Sequence, residues 1–407
     1  MTSRDFLFFL AARAVARLGD AMLPVALAAG LIAHGLGAGG IGLAMASYSV
    51  CFAGFVVFGG VFSDRTEPRR LMVTADVVRV GTQALAAALF LSGHVVLWQI
   101  CAIGAVNGVA AGVFQPGVAS VVPRIARDVQ GANAVIRTAE SLALLAGPAA
   151  AGLLVATVSP GGVLVAHAAT YAVSAGCLAF VRLGRRGSRA AGGTAPPVGY
   201  FADLAQGWRE FRSRSWMWSV ILLWMVLMVT VWGPQTPLTA GEIIPRHGAD
   251  AYGLVNSALG GGTALGGLLA FRLRPAFPLR AGAAALFGAA LFPAAVGAGL
   301  PVPAVAACTA VAGAAVGFWG VMWMTCVQTQ VPGPVLGRIH AYEVAGSLAM
   351  MPVGQALAGP AAGWLGARVV LLAGAVAAVV VSATLLVLPA VRGLRRVPAP
   401  QPAPPPR

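Results

Sequence analysis

The chain has 407 residues, of which 58% are hydrophobic and only 10% are charged. Soluble domains carry about 25% charged residues, so this composition excludes an ordinary soluble protein and predicts a polytopic membrane protein. All 27 basic residues are arginine, and the formal net charge is +15. Because most of these arginines lie between apolar runs, we attribute the charge to membrane topology and lipid head groups and predict no nucleic-acid partner.

Apolar runs long enough to cross a bilayer follow one another along the chain. They cover approximately residues 6–33, 39–63, 70–93, 95–122, 134–157, 160–181, 216–240, 251–271, 280–299, 302–328, 340–363 and 366–391. We therefore predict an all-α polytopic membrane protein with about twelve transmembrane helices in two pseudo-symmetric six-helix bundles. The predicted segments are a first bundle at 1–182, a cytoplasmic linker with an amphipathic helix at 183–215, a second bundle at 216–392 and a disordered cytoplasmic tail at 393–407.

The first apolar run carries Arg13, Arg17 and Asp20 at helical spacing. On a helix these residues share one face, and a charge at the bilayer centre costs at least about 2.5–3.5 kcal/mol. We therefore expect this face to line a central cavity, where Asp20 is a candidate for binding a proton or a cationic substrate. The alternative is a structural ion pair between Asp20 and Arg17.

A short charged loop separates the second and third runs, with Gly60 ahead of Asp64, Arg65, Arg69 and Arg70. Such a cluster cannot sit in hydrocarbon, so the loop must lie at a membrane face, and Gly60 allows the preceding helix to approach a neighbour closely. The positive-inside rule places this loop in the cytoplasm. With that orientation 21 arginines fall on the cytoplasmic side and two outside, which predicts a multi-pass inner-membrane protein with cytoplasmic N- and C-termini.

Two further acid–base pairs lie one helical turn apart. Asp76 precedes Arg79 in the third run, and Arg137 precedes Glu140 in the fifth. We interpret both as structural charge pairs. In the second half, Glu343 is the acidic residue nearest the membrane interior, and it is a second candidate for proton coupling. The alternative for Glu343 is a role as partner of the loop arginines at the inward face.

Aromatic and amide side chains in the fourth, seventh and tenth runs suggest a substrate cavity. Aromatic walls bind bulky amphipathic ligands through stacking and dispersion. The alternative for the tryptophans is anchoring at the lipid interface. The candidate residues for this cavity are Gln115, Trp224, Trp232, Gln235, Trp319, Trp323 and Gln328.

No pattern typical of an enzyme is present. The five histidines are scattered without metal-ligand spacing, and the five cysteines lie inside apolar runs without paired spacing. The glycine-rich stretches have no phosphate-binding lysine, so ATP is not the expected energy source. We predict no catalytic residues, no metal site and no cofactor.

The loop sequence Gly60-x-x-x-Asp64-Arg65-x-x-x-Arg69-Arg70 resembles the signature between helices 2 and 3 of the major facilitator superfamily. Similarity to the enterobactin-exporter and macrolide-efflux branch is carried by Arg17-Leu18-Gly19-Asp20, Ala75-Asp76-Val77-Val78-Arg79, Gln115-Pro116 and the stretch from Val331-Pro332 to Gly337-Arg338-Ile339. The resemblance covers essentially the whole chain. It implies the superfamily fold, rocker-switch alternating access, and a gate between helices 2 and 11 formed by Asp64 and its arginines. A purely topological role for these arginines is the alternative.

The fifth run contains Gly147-Pro148-x-x-Ala151-Gly152, which partly resembles the antiporter signature of superfamily exporters and favours export. We therefore predict a monomeric secondary active transporter. It would use the proton gradient to export an amphipathic small molecule, such as an antibiotic or a siderophore-like compound, and its partners would be that substrate and the lipid bilayer. The alternatives are a lipid or metabolite transporter of the same fold, and a non-transporting membrane scaffold or sensor.

Overall fold

A computed structural model of the chain describes residues 3–65, 67–126, 129–182, 209, 212–330, 346–347 and 349–395. Within these ranges, side chains are not described for residues 56–65, 116, 119–120, 123, 129–130, 134 and 328. Most of the linker with an amphipathic helix predicted at 183–215 and most of the tail predicted at 393–407 lie outside the described residues.

The first half of the chain consists of six long helices. Three of them begin with a recognisable start signal: the hydroxyls of Ser3 and Ser159 accept hydrogen bonds at the first turns of the first and sixth helices, and Pro68 opens the third. The helices are α1 (Arg4–Ala33), α2 (Gly37–Arg65), α3 (Pro68–Ser92), α4 (Leu97–Ile125), α5 (Val129–Thr157) and α6 (Pro160–Phe180).

The second half is more interrupted than the first. Its elements are α7 (Ser215–Leu227), a π-helical turn (Met228–Trp232), α8 (Gly233–Arg272), α9 (Pro278–Ala285), a 3₁₀ turn (Leu286–Ala290), α10 (Leu291–Gly297), α11 (Val302–Gln330), α12 (Met351–Leu365), α13 (Ala367–Val387) and α14 (Pro389–Arg392).

Gly248 divides α8 into two helices, because its φ of 86° is left-handed and cannot continue a right-handed helix. We call the two parts α8a (233–247) and α8b (249–272). One membrane crossing therefore runs from α7 through the π-helical turn into α8a, and the next is α8b. The π-helical turn widens the first of these crossings, a feature that often occurs at functional positions.

Ten stretches of the described chain are long and apolar enough to cross a membrane. One of them, Ser215–Arg272, holds the two crossings that meet at Gly248. The 15 described residues of α12 belong to a further crossing, which brings the total to twelve. The described residues form no strand, and the predicted all-α fold with twelve transmembrane helices is confirmed.

Helices of the first half pack mainly on one another. α1 lies against α5 and α6, α3 against α6, and α2 against α4. In the second half, α8 packs on α11, and α13 packs on α7 and α10. The closest contacts between the halves join α2 to α12 and α5 to α8.

The contact between α2 and α12 lies at the end of the bundle opposite the chain termini. A Cβ on Gly42 would overlap the backbone carbonyl of Gln355, and one on Gly359 would overlap the backbone of Gly39. These glycines lie near the start of α2 and the end of α12. The absence of side chains lets the two backbones touch, as small residues do at helix contacts in membranes.

The contact between α5 and α8b is also closest at the end of the bundle opposite the chain termini. Gly253 packs against the carbonyl of Pro148, and an added Cβ on Gly260 would come 2.7 Å from the carbonyl of Leu144. Seven residues further along α8b, an added Cβ on Gly267 would meet no atom within 4 Å. α5 and α8b therefore separate toward the end of the bundle that holds the chain termini.

Candidate functional site

Two glycines allow the charged face of α1 to lie close to its neighbours. An added Cβ on Gly19 would come within 2.5 Å of the ring of His167 in α6. An added Cβ on Gly147 in α5 would lie 2.5 Å from the Cβ of Ala21 and 3.1 Å from the carbonyl of Leu18. Gly19 and Ala21 flank Asp20, so these close approaches bring α6 to Asp20 and α5 to the same face of α1.

Glu140 of α5 is the partner of three arginines. The guanidinium of Arg13 contacts its carboxylate directly, and both residues are buried, with exposures of 7% and 6%. Arg137 lies 3.5 Å from the same carboxylate and Arg17 lies 4.0 Å from it. Because an unpaired charge in this environment is costly, the cluster holds α1 and α5 together while it leaves Arg17 and Arg137 only partly neutralised.

Asp20 of α1 faces α6. The hydroxyl of Tyr171 donates a hydrogen bond of 2.5 Å to its carboxylate, and Nε2 of His167 lies 3.7 Å away. Arg17 approaches from the preceding helical turn at 3.5 Å. The Asp20 side chain nevertheless keeps 28% of its surface exposed, so the carboxylate is both held by partners and open to the cavity.

A second buried pair continues this network toward α3. Asp76 is completely buried, accepts a 2.6 Å hydrogen bond from Ser174 and lies 3.7 Å from Arg79. The Arg79 guanidinium sits over the rings of Tyr171 and Phe114, at 5.0 Å and 5.2 Å from their centroids. This is cation–π geometry, and it links the Asp76 pair to the tyrosine that holds Asp20.

A cavity of about 690 Å³ opens beside these charges, between α1, α5 and α8b. Its charged lining comes from Arg17, Asp20 and Arg137 of the first half. The rest of the wall is polar or apolar and comprises Ala21, Pro24, Val25, Thr138, Ser141, Leu142, Leu144, Leu145, Pro148, Asn256, Leu259, Gly260, Thr263, Ala264, Gly267 and Leu268. A cavity of this size accommodates a drug-sized molecule.

Five of the candidate residues cannot be placed. The proton-coupling candidate Glu343 lies outside the described residues, and only the backbone is described for the loop residues Gly60, Asp64 and Arg65 and for the cavity candidate Gln328. The predicted gate between the second and eleventh apolar runs therefore stays a prediction.

The two remaining loop arginines are described. Arg69 donates hydrogen bonds of 3.2 Å to the carbonyls of Ala179 and Val181, at the end of α6. Arg70 is 80% exposed at its side chain and pairs with Glu67 at 2.8 Å. Arg69 therefore caps a helix of its own half.

The predicted aromatic residues gather within the second half. Trp319 and Trp323 are buried and stacked with centroids 6.3 Å apart, and Trp224 stacks on Trp319 at 6.1 Å. Trp216 meets the edge of Trp323. None of the four lines the 690 Å³ cavity. The role of Trp224, Trp319 and Trp323 in binding substrate therefore stays a prediction.

Gln115, Gln235 and Trp232 also do not belong to the described lining of that cavity. Trp232 Nε1 and Gln235 Oε1 are buried and have no hydrogen-bond partner among the described residues. Gln115 is half-buried in α4. The antiporter-like residues Gly147 and Pro148 lie at the contacts of α5 with α1 and α8b described above.

Our sequence reasoning missed the polar face of α6. His167, Tyr171 and Ser174 recur at intervals of four and three residues in an otherwise apolar helix, which is the spacing of one helical face. That periodicity was the available signal. His167 is fully buried, and neither ring nitrogen has a hydrogen-bond partner among the described residues.

Within the described ranges, no group of three His, Cys, Asp or Glu side chains is placed to hold a metal ion. Among the described residues, the chemistry available at this site is that of one carboxylate, two arginine side chains and an apolar wall.

The sequence profile of the major facilitator superfamily matches residues 9–346. None of the curated proteins matches the sequence. Among solved structures, the nucleoside transporter NupG is 11% identical, with a TM-score of 0.72 over 94% of this chain and 98% of that one.

Two other solved structures have similar folds. A bacterial homologue of the human lysosomal transporter Spinster, in an inward-facing and unoccupied conformation, is 15% identical, with a TM-score of 0.72 over 98% of this chain and 100% of that one. A bacterial homologue of the iron transporter ferroportin, in an inward-facing state, is 15% identical, with a TM-score of 0.68 over 94% of this chain and 99% of that one. At these identities the similarity concerns the fold alone.

Proposed function

This chain belongs to the major facilitator superfamily and is a multi-pass membrane transporter, and from that premise we propose that it exports an amphipathic small molecule in exchange for protons. The observation that carries the proposal is Asp20. Its carboxylate is held by Tyr171 on α6 and reaches a cavity of about 690 Å³ from inside the transmembrane region. Ionisable groups within membrane spans are costly, and where they persist they usually serve ion or substrate pathways.

Proton coupling requires a group that can gain and lose a proton while its access to the two sides of the membrane changes. The partial exposure of the Asp20 carboxylate supports the first requirement, because a buried carboxylate could not exchange a proton with the cavity. The second is supported by the contact between α5 and α8b, which is close at Gly253 and open at Gly267. In a rocker switch the contact at the closed end would separate as the open end closed, so Asp20 would face one side at a time.

The proposal of export, and not uptake, rests on α5. The antiporter-like segment contributes Gly147 to the packing against α1, and the carbonyl of Pro148 to the contact with Gly253. Gly152 adds a close approach of 2.7 Å, measured from an added Cβ, to the carbonyl of Ala249. The segment that resembles the exporter signature thus lies at the contact that alternating access would have to open.

The substrate proposed is a bulky amphipathic molecule, such as an antibiotic or a siderophore-like compound of the kind moved by the enterobactin-exporter and macrolide-efflux branch. Support comes from a cavity wall that combines charged groups with leucines. We further propose that the protein acts as a monomer in the inner membrane with cytoplasmic termini. The proton gradient would be its energy source, without a cofactor.

A lipid or metabolite transporter is the second candidate. Leu142 and Leu268 line the cavity from α5 and α8b and are 60% and 63% exposed. An exposed apolar wall at a seam between two membrane helices is compatible with a lipid-like substrate. A non-transporting scaffold is disfavoured, because it has no need for the costly charges on α1.

Proton flux in proteoliposomes tests the proposal. Purified protein is reconstituted with a pH-sensitive dye in the lumen, and lipophilic antibiotics, siderophores and lysolipids are added in turn. Substrate-dependent proton movement above that of protein-free liposomes is the expected result for antibiotics or siderophores. Flux with lysolipids alone would favour the second candidate. Substrate uptake without proton movement would contradict proton coupling.

A further inference from the structure

The side chains of two arginines line the cavity. The Arg137 side chain is 83% exposed and that of Arg17 is 31% exposed, and both line the space between α1, α5 and α8b. Both also lie within 4.0 Å of the same Glu140 carboxylate, which fixes them close to each other. Two neighbouring guanidinium groups can share one carboxylate, phosphate or sulfonate of a ligand through charge-assisted hydrogen bonds.

The described acids nearby do not fully neutralise these two arginines. Glu140 is 8% exposed at its side chain and is already in direct contact with Arg13. Asp20 is the one carboxylate among the described side chains that line the cavity. The described network of ion pairs holds one more cation than anion, with Arg13, Arg17, Arg79 and Arg137 set against Asp20, Asp76 and Glu140.

The opposite wall, from α8b, contributes no charge to the described lining. Its residues are Asn256, Leu259, Gly260, Thr263, Ala264, Gly267 and Leu268. An uncompensated cation in a membrane-spanning helix is unfavourable because low-polarity surroundings solvate it poorly. A ligand that brought a negative charge would remove this deficit, and its apolar body would lie along the leucines.

We propose that the transported molecule is an amphipathic anion, whose acidic group is bound between Arg17 and Arg137 and whose apolar part lies against Leu142, Leu259 and Leu268. This inference rests on the proposed transport function in one respect, since it takes this cavity as the substrate site. A lipid head group and a soluble amphiphile can supply the same chemistry, an acidic group on an apolar body, and the test separates them.

The test compares two fluorescent probes that share one apolar body. 8-Anilinonaphthalene-1-sulfonate carries a sulfonate, and N-phenyl-1-naphthylamine is the same aromatic amine without it. Binding is measured by fluorescence with the full chain in phosphatidylcholine nanodiscs, after subtraction of empty nanodiscs. No proton gradient is present, so the measurement is independent of export and coupling.

The wild type is expected to bind the sulfonate probe at least about tenfold more tightly than the neutral probe, in line with the strength of hydrogen bonds to charged groups. Arg137→Gln should abolish that preference and leave binding of the neutral probe unchanged. Arg246→Gln is the matched control, because Arg246 is 51% exposed, pairs with Glu242 and is not part of the cavity lining. Since Arg137 is exposed, its replacement should not impair folding, which gel filtration verifies.

Nanodiscs that also contain phosphatidylglycerol identify the source of the anion. Weaker binding of the sulfonate probe in these discs would indicate a lipid head group, and unchanged binding would indicate a soluble amphiphile. The proposal would be overturned if the wild type bound the two probes equally, preferred the neutral probe or did not bind the sulfonate probe. It would also be overturned if the Arg137→Gln variant kept the preference for the sulfonate probe. None of these results would affect the export proposal, because proton flux is measured separately.

Discussion

The phenol of Tyr171 on α6 donates a 2.5 Å hydrogen bond to the carboxylate of Asp20 on α1, although 151 residues separate them in the chain. The same phenol ring lies under the guanidinium of Arg79. Tyr171 therefore links the Asp20 carboxylate to the buried pair of Asp76 and Arg79 on α3. A change at Asp20 can affect the packing of α1, α3 and α6 through these contacts.

Asp20→Asn is expected to abolish substrate-driven proton flux while the protein stays folded, because asparagine keeps the shape of the side chain but cannot carry the proton. Flux in proteoliposomes and gel filtration are the measurements. Asp250→Asn serves as the control, since Asp250 is exposed at the start of α8b and does not line the cavity. Unchanged flux in Asp20→Asn would reduce Asp20 to a structural partner of Arg17 and shift the assignment to Glu343.

Tyr171→Phe removes the hydrogen bond to Asp20 and keeps the ring under Arg79. We expect a loss of about 1.5–3 kcal/mol in the free energy of unfolding, as for hydrogen bonds to charged groups. Tyr252→Phe is the matched control, because the hydrogen bond that the described hydroxyl of Tyr252 donates to the carbonyl of Thr236 is long, at 3.4 Å. Reversible unfolding in mixed micelles measures the free energy of unfolding of both variants. Equal losses of stability in the two variants would argue against a special role for Tyr171.

Glu140→Gln leaves Arg13, Arg17 and Arg137 without the carboxylate that they share. Breaking a buried ion pair from one side costs about 3–5 kcal/mol, so we expect severe loss of folded protein. Arg137→Gln removes a largely exposed partner of the same carboxylate and should cost less than about 1 kcal/mol. Expression yield and thermal unfolding compare the two. A Glu140→Gln variant as stable as Arg137→Gln would show that the cluster contributes little to folding.

Gly253→Ala places a methyl group against the carbonyl of Pro148, at the contact between the halves. Overpacking costs about 1–3 kcal/mol, so the population in which this end is closed should fall on the order of tenfold. Gly267→Ala is the matched control in the same helix. Because Gly267 faces open space, this substitution should leave the population of the closed state unchanged.

Spin labels at Ala38→Cys and Gly241→Cys, in a background without native cysteines, report on that population. An added Cβ on Gly241 would lie 3.5 Å from the Cβ of Ala38, so the two positions meet across the halves at the closed end. The distribution of distances between the two labels should shift to longer values in Gly253→Ala. Identical distributions in both glycine variants would count against α5 and α8b as the moving contact.

Arg69→Ala removes the hydrogen bonds to the carbonyls of Ala179 and Val181 and should cost about 1–2 kcal/mol of stability. Arg70→Ala, at an exposed side chain, should change stability by less than about 0.5 kcal/mol. Thermal unfolding and transport are measured together. If Arg69→Ala lost transport without losing stability, Arg69 would belong to the gate and not to the cap of α6.

The sequence alone determined the membrane architecture of this protein. Hydrophobic length is a local property, and twelve crossings follow from it because an unsatisfied backbone cannot lie in hydrocarbon. The same reasoning identified Arg13, Arg17 and Asp20 as unusual, since the cost of a charge in a membrane span depends on the span itself. Even the break at Gly248 was visible as the gap between two predicted runs.

Only the tertiary structure decided which partners these charges have. Arg13 contacts Glu140, and Asp20 accepts a hydrogen bond from Tyr171, because Gly147 and Gly19 allow α5 and α6 to approach α1 closely. Helical spacing within α1 cannot reveal such contacts, since they depend on how separate helices are placed.

The aromatic residues show the same limit. Composition made Trp319 and Trp323 candidates for a cavity wall or for the lipid interface, and the fold instead packs them on each other inside the second half. A tryptophan is apolar enough for each of these surroundings, so its sequence context does not distinguish them. The cavity arises between α1, α5 and α8b because helices distant in sequence separate there, and no single segment encodes that gap.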